Sequence, residues 1–127
     1  MRDEDEAIEI ILDHYRSPHN YGGEIESPDD QILEYNPVCG DAVRLTVRFQ
    51  GDVLSDIKFV GRGCSISQAS ASILTDTVKG GKTVSEISRI TEEDILRNLG
   101  VSLGPNREKC ALLAYNALQK IIRRRKG

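Results

Sequence analysis

Val43-Arg44-Leu45-Thr46-Val47-Arg48-Phe49-Gln50-Gly51-Asp52 decides the fold. Val43, Leu45, Val47 and Phe49 alternate with Arg44, Thr46 and Arg48, the period-two pattern of a strand with one buried face. Gln50-Gly51-Asp52 is a turn signal, and Val53 to Val60 can return as the partner strand. The stretch therefore predicts an antiparallel hairpin.

The period changes on both sides of this hairpin. After Gly61-Arg62-Gly63, residues Ile66, Ala69, Ile73 and Thr77 take helical spacing, and Gly80-Gly81 marks a stop. Thr83 with Glu86, and Thr91 with Asp94, resemble N-cap pairs for two short helices. Gly104-Pro105-Asn106 opens a last helix whose apolar stripe is Cys110, Leu113, Ala114, Ala117, Leu118, Ile121 and Ile122. Upstream, Ala7, Ile8, Ile10, Ile11 and Tyr15 set a helix over residues 3–15, ended by Ser17-Pro18 and Gly22-Gly23. Ile32, Leu33 and Tyr35 suit a short strand. The order of helix, strands and helices predicts an α+β fold, with a small antiparallel sheet and helices packed on one face. Its 127 residues are read as a single domain, 1–127.

Composition narrows the function classes. The net charge of −3 does not suggest a nucleic-acid partner. Asp3-Glu4-Asp5-Glu6 makes the start acidic; Arg123-Arg124-Arg125-Lys126 reads as a solvated helix end whose positive charge suits the helix dipole, with docking to an acidic partner as the alternative. No run of 18 apolar residues argues for a membrane span, and the acidic start lacks a signal-peptide apolar stretch. A cytoplasmic location is expected. The absence of a heptad stripe leaves a monomer or a weak homo-oligomer.

Three cysteines make a poor disulfide framework, and a chain of this length can bury a core without one. Cys39 lies in the turn before the hairpin, flanked by Pro37 and Gly40. Cys64 stands where the second strand hands over to a helix, where backbone N–H groups favour a thiolate. Cys110 falls near the start of the last helix. Because a hairpin reverses direction, Cys39 before it and Cys64 after it share one end, and a helix on the sheet can bring Cys110 there. Asp41 joins them. Thiolates are soft ligands for zinc and for iron–sulfur clusters, and a carboxylate can fill a further position. Taken by itself, Cys110 on an apolar stripe also fits simple packing.

Four segments resemble the IscU/NifU/SufU family. Asn36-Pro37-Val38-Cys39-Gly40-Asp41 is similar to its N-P-x-C-G-D motif, and Gly61 to Ser72 to its G-x-G-C-x-I-S-x-A-S-A-S segment. Arg107-Glu108-Lys109-Cys110-Ala111-Leu112-Leu113 is similar to the third-cysteine segment, and His14-Tyr15-Arg16-Ser17-Pro18-His19-Asn20 to the N-terminal stretch. The resemblance implies an α+β fold and a scaffold for iron–sulfur cluster assembly. Sulfur would come from a cysteine desulfurase, with Cys64 and Cys110 as the candidate persulfide acceptors. A transient [2Fe-2S] cluster would be held by Cys39, Cys64 and Cys110 beside Asp41 and passed to apo-proteins. The same four residues would bind zinc in cluster-free protein.

Three departures from the family's patterns bear on the choice between this reading and a second one. IscU proteins carry His before the third cysteine; here Lys109 stands, a group with donors only that cannot ligate iron. It is read as a modulator of Cys110 and is the SufU-like choice, which favours a zinc-dependent sulfurtransferase. The short stretch between Cys64 and Cys110 lacks SufU's insertion, which favours the scaffold. Leu103-Gly104-Pro105-Asn106-Arg107 also lacks the Leu-Pro-Pro-Val-Lys pattern read by the dedicated chaperone of IscU. His14 and His19 are expected to pack or to be solvated rather than to bind metal. The serines of Ser65 to Ser72 are expected to permit close helix packing.

Overall fold

The computed structural model describes residues 3–38 and 40–126. Its elements run α1 (Glu4–Arg16), β1 (Asp30–Asn36), β2 (Asp41–Gln50), β3 (Val53–Arg62), α2 (Ser65–Lys79), α3 (Val84–Ser88), α4 (Glu92–Leu99), α5 (Pro105–Ala111) and α6 (Leu113–Lys126). The three strands form one antiparallel meander in the order β1-β2-β3. The expected hairpin is β2–β3, with Leu45 opposite Phe59 and Val47 opposite Ile57. The pairing shifts register at Arg48/Phe49, just before the turn, as a β-bulge does.

Side chains of one sheet face meet α2 and α6 in an aliphatic core. Leu45, Val47, Leu54, Ile57 and Phe59 interlock there with Val78, Leu118, Ile121 and Ile122, all fully buried. A smaller cluster of Ile11, Ala69, Leu99 and Ala111 joins α1, α2, α4 and α5. Small side chains at Ala69 and Ala111 let these helices approach closely. Serine residues of α2 serve the same end, and each buried hydroxyl finds a partner: Ser67 donates to the Cys64 carbonyl and Ser70 to the Ala111 carbonyl.

Local signals act where the sequence places them. Thr83 and Thr91 cap α3 and α4 through complete capping boxes with Glu86 and Asp94. The bonds these carboxylates accept hold both below their ordinary pKa. Asp3 caps α1 by accepting from the Glu6 N–H at 2.8 Å.

Three expectations need correction. β2 is not buried on one face alone: Ala42 and Thr46, on the face away from the helices, are buried too. The loop after α1 covers that side, where the Ile25 N–H donates to Thr46 Oγ1 at 3.0 Å. The last helix is two helices, α5 and α6, joined at Leu112, so Cys110 ends a short helix instead of starting a long one. Ile8 and Tyr15 of α1 are exposed because α1 lies outside α2 and covers it with a narrow stripe of Ala7 and Ile11.

The loop after α1 also protects the sheet edge. The Asn20 carbonyl accepts from the Phe59 N–H at 2.9 Å, and the Gly22 N–H donates to the Phe59 carbonyl at 3.3 Å. The outer edge of β3 is thereby partly paired, which removes a site for unwanted strand addition.

Candidate metal centre

Three elements converge at one end of the sheet. Asp41 opens β2, opposite Asn36 at the end of β1. Cys64 is the N-cap of α2, immediately after β3. Cys110 lies in the last turn of α5. Asp41, Cys64 and Cys110 each offer one ligand atom, and these atoms lie within 4.8 Å of one another. Cys39 lies outside the described residues.

Asp41 is the hub of this arrangement. It is buried, its Oδ1 accepts from the Cys64 N–H at 3.4 Å, and its Oδ2 lies 3.8 Å from Cys64 Sγ. The carboxylate can sit so close because residue 63 is glycine. Gly63 has φ +146°, and a Cβ there would lie 2.4 Å from Asp41 Oδ1 and 2.7 Å from Ser67 Oγ. Gly61 meets a similar limit against the Ala42 carbonyl, at 2.6 Å. The two glycines of Gly61-Arg62-Gly63-Cys64 therefore seat the junction against β2.

Cys110 is positioned from two sides. The Ser70 hydroxyl donates to the carbonyl of the next residue, Ala111, at 2.7 Å, fastening α5 to α2. The buried Asn36 amide lies 3.7 Å from Cys110 Sγ and donates toward it. Asn36 also shapes the turn: its carbonyl accepts from the Gly40 N–H and its Oδ1 from the Val38 N–H. Asn36 belongs to the Asn36-to-Asp41 motif, yet nothing in the sequence by itself gives it this role. The spacing of a polar side chain in a Pro-containing turn was the available signal, but its partner lies in a distant helix.

Access differs between the two thiols. Cys64 is exposed, whereas Cys110 is 4% exposed. Lys109 is exposed and lines a cleft with Tyr35, Asn36 and Pro37. Around this end Leu33, Tyr35 and Val38 are exposed apolar side chains.

The donor set is chemically selective. Two sulfurs and one carboxylate within this span suit zinc or an iron–sulfur cluster and suit magnesium or calcium poorly. The close seat that Gly63 leaves for Asp41 fits a centre in which that carboxylate stands at the metal's side.

Comparison with known proteins identifies the family. The family model of the NifU-like N terminal domain matches residues 6–126. The chain belongs to this family. Among relatives, it is 38% identical to the zinc-dependent sulfurtransferase SufU of Bacillus subtilis (strain 168), over 94% of this chain and 90% of that protein. It is 37% identical to the iron-sulfur cluster assembly scaffold protein IscU of Streptococcus pyogenes serotype M1, over 91% of this chain and 81% of that one. A crystal structure of a putative iron-sulfur cluster assembly scaffold protein for the SUF system, from Fervidobacterium islandicum AW-1, superposes with a TM-score of 0.73 at 32% identity, covering 88% of this chain and 93% of that one. Family membership carries the expected α+β fold with it. The alignment with SufU runs to 135 positions, more than this chain's 127 residues, so SufU carries residues that this chain lacks. The streptococcal alignment, at 131 positions, has the same property.

Proposed function

We propose that this protein, acting as a single domain, is a scaffold for iron–sulfur cluster assembly, taking sulfur from a cysteine desulfurase and passing a transient [2Fe-2S] cluster to apo-proteins. The observation that carries this reading is the gathering of Cys64, Cys110 and Asp41, far apart in the chain, within 4.8 Å. Cys39 completes the sulfur set by its place in the Asn36-to-Asp41 turn. A reducing cytoplasm suits such thiol chemistry.

Exposure favours Cys64 over Cys110 as the first sulfur acceptor. Its thiolate attacks the outer sulfur of the desulfurase persulfide. A new S–S bond forms at Cys64, the desulfurase S–S bond breaks, and the desulfurase cysteine leaves as a thiolate. Conversion of two sulfane sulfurs to sulfide takes four electrons. Two ferrous ions becoming ferric supply half of them, and an external low-potential reductant supplies the rest. The exposed Leu33, Tyr35 and Val38 give the desulfurase and the acceptor proteins an apolar rim to dock on.

A second reading, a zinc-dependent sulfurtransferase, has Lys109 and the Bacillus relative in its favour. Asp41, Cys64 and Cys110, with Cys39, would hold the zinc, whose charge stabilises bound thiolates. The residues of this chain do the remaining work: Asn36 orients Cys110, Gly63 seats Asp41, and the start of α2 presents Cys64.

One experiment separates the readings. Metal-free protein is incubated anaerobically with ferrous iron, cysteine and a cysteine desulfurase, and visible absorption and metal content are followed. The scaffold reading expects a [2Fe-2S] spectrum that transfers to an apo-ferredoxin. Tight zinc, no cluster and zinc-dependent stimulation of the desulfurase would replace it with the transferase.

A further inference from the structure

A second group of ligand side chains lies at the other end of α2. His14 belongs to the last turn of α1, His19 to the following loop, and Asp76 to the later part of α2. One ligand atom of each lies within 4.8 Å of the other two. The imidazole rings are 4.5 Å apart, centre to centre, with their planes inclined by 47°. Asp76 follows Cys64 along the same helix by a stretch that a 1.5 Å rise per residue converts to roughly 18 Å. The two ligand groups are therefore separate sites.

Supporting groups hold each ligand. Ser72 Oγ lies 2.7 Å from His14 Nδ1 and accepts from the His19 backbone N–H at 2.8 Å, fixing both histidines to one point of α2. His19 Nδ1 contacts Asp76 Oδ2 closely. The Asn20 amide donates to Asp76 Oδ1 and to Thr75 Oγ1, each at 3.0 Å. Asn20 takes a left-handed backbone (φ 56°), a conformation that asparagine tolerates, and so turns the loop back toward α2. Second partners of this kind orient metal-binding imidazoles and carboxylates.

We propose that His14, His19 and Asp76 form a binding site for one divalent transition-metal ion of the zinc or ferrous-iron class. Two imidazole nitrogens and one carboxylate are donors of intermediate softness, suited to these ions and not to magnesium or calcium, which take oxygen ligands. The side chains of His19 and Asp76 are 53% and 45% exposed, so water can complete the coordination and the ion can enter directly. Lys79, three residues after Asp76 on α2, is engaged by Asp56 at 3.5 Å and donates to Asn20 Oδ1 at 3.0 Å. This site does not depend on the function proposed for the cysteines.

Cobalt(II) tests the proposal, because it distinguishes donors. The full-length metal-free protein is titrated with cobalt under reducing, anaerobic conditions. Thiolate ligation gives an intense sulfur-to-metal charge-transfer band; the histidine site gives weak ligand-field bands alone. The expected result is one bound equivalent with the second signature. It is lost in His19→Ala and in Asp76→Asn, while any thiolate band is retained. Ser72→Ala weakens the same equivalent by roughly 10- to 100-fold. Because His19 is exposed, His19→Ala is expected to keep the wild-type circular dichroism. Absence of a sulfur-free equivalent in the wild-type protein, or its persistence in folded His19→Ala, overturns the proposal.

Discussion

The two ends of α2 are built on different principles. Its N-terminal end is shaped by backbone: Gly63 admits the Asp41 carboxylate, Cys64 caps the helix, and Asn36 reaches Cys110 from a strand end. Its C-terminal end is assembled by side chains, with Ser72 and Asp76 of α2 and Asn20 of the preceding loop holding one histidine from α1 and one from that loop. The first end buries its carboxylate and one sulfur; the second leaves His19 and Asp76 half exposed. The comparison teaches that a site made by close backbone approach tolerates little, whereas a clasp of side chains can lose a member and keep the fold.

The largest expected effect follows from Cys64→Ser, which removes the exposed thiol. Desulfurase-dependent persulfide on the protein, read by intact mass spectrometry, should disappear at Cys64. Stability should stay within about 0.5 kcal/mol, as for an exposed substitution. Persulfide formation on Cys110 at the wild-type rate would show that exposure does not select the acceptor.

Gly63→Ala attacks the backbone principle itself. The added Cβ meets Asp41 at 2.4 Å and must adopt an unfavourable φ. Strain and overpacking together should cost about 2–4 kcal/mol in urea unfolding. A cost below about 1 kcal/mol would mean that the Asp41 seat relaxes cheaply.

Asp41→Ala should lengthen the lifetime of a reconstituted cluster several-fold, followed by the decay of its visible absorption. An unchanged lifetime would show that Asp41 does not govern how long the cluster is held. Ser70→Ala loosens α5 instead, leaving the Ala111 carbonyl without its donor in a buried position. It should cost about 1–3 kcal/mol in urea unfolding and slow cluster formation at the same time. At the other end of the helix, His19→Ala in metal-free protein should cost only about 0.5–1 kcal/mol, since its contact with Asp76 is solvent-exposed. A loss as large as that of Gly63→Ala would erase the contrast between the two ends.

Much of this architecture is legible along the chain because its signals are local. Alternation from Val43 to Phe49, the Gln50-Gly51-Asp52 turn, both Thr-initiated capping boxes and the Gly80 stop each act within a few residues. The meeting of Cys64 with Asp41 follows from the hairpin's reversal alone. What escaped the reading depends on the path of distant segments. Nothing near Thr46 signals that Ile25 will cover it, and nothing near Asn36 signals a sulfur in α5. His14 and His19 looked like isolated polar residues because Asp76 and Ser72, which join them, lie on another helix. The interruption at Leu112 is invisible for a different reason: the apolar stripe from Cys110 to Ile122 continues across it.

Zinc K-edge X-ray absorption tests most directly whether sulfurs and carboxylate share one guest. The sample is His19→Ala loaded with one equivalent, so that zinc has the cysteine end alone to occupy. The expected result is a shell of at least two sulfurs at about 2.3 Å with a lighter oxygen neighbour at about 2.0–2.2 Å. A shell of nitrogen and oxygen alone, with no sulfur, would contradict it.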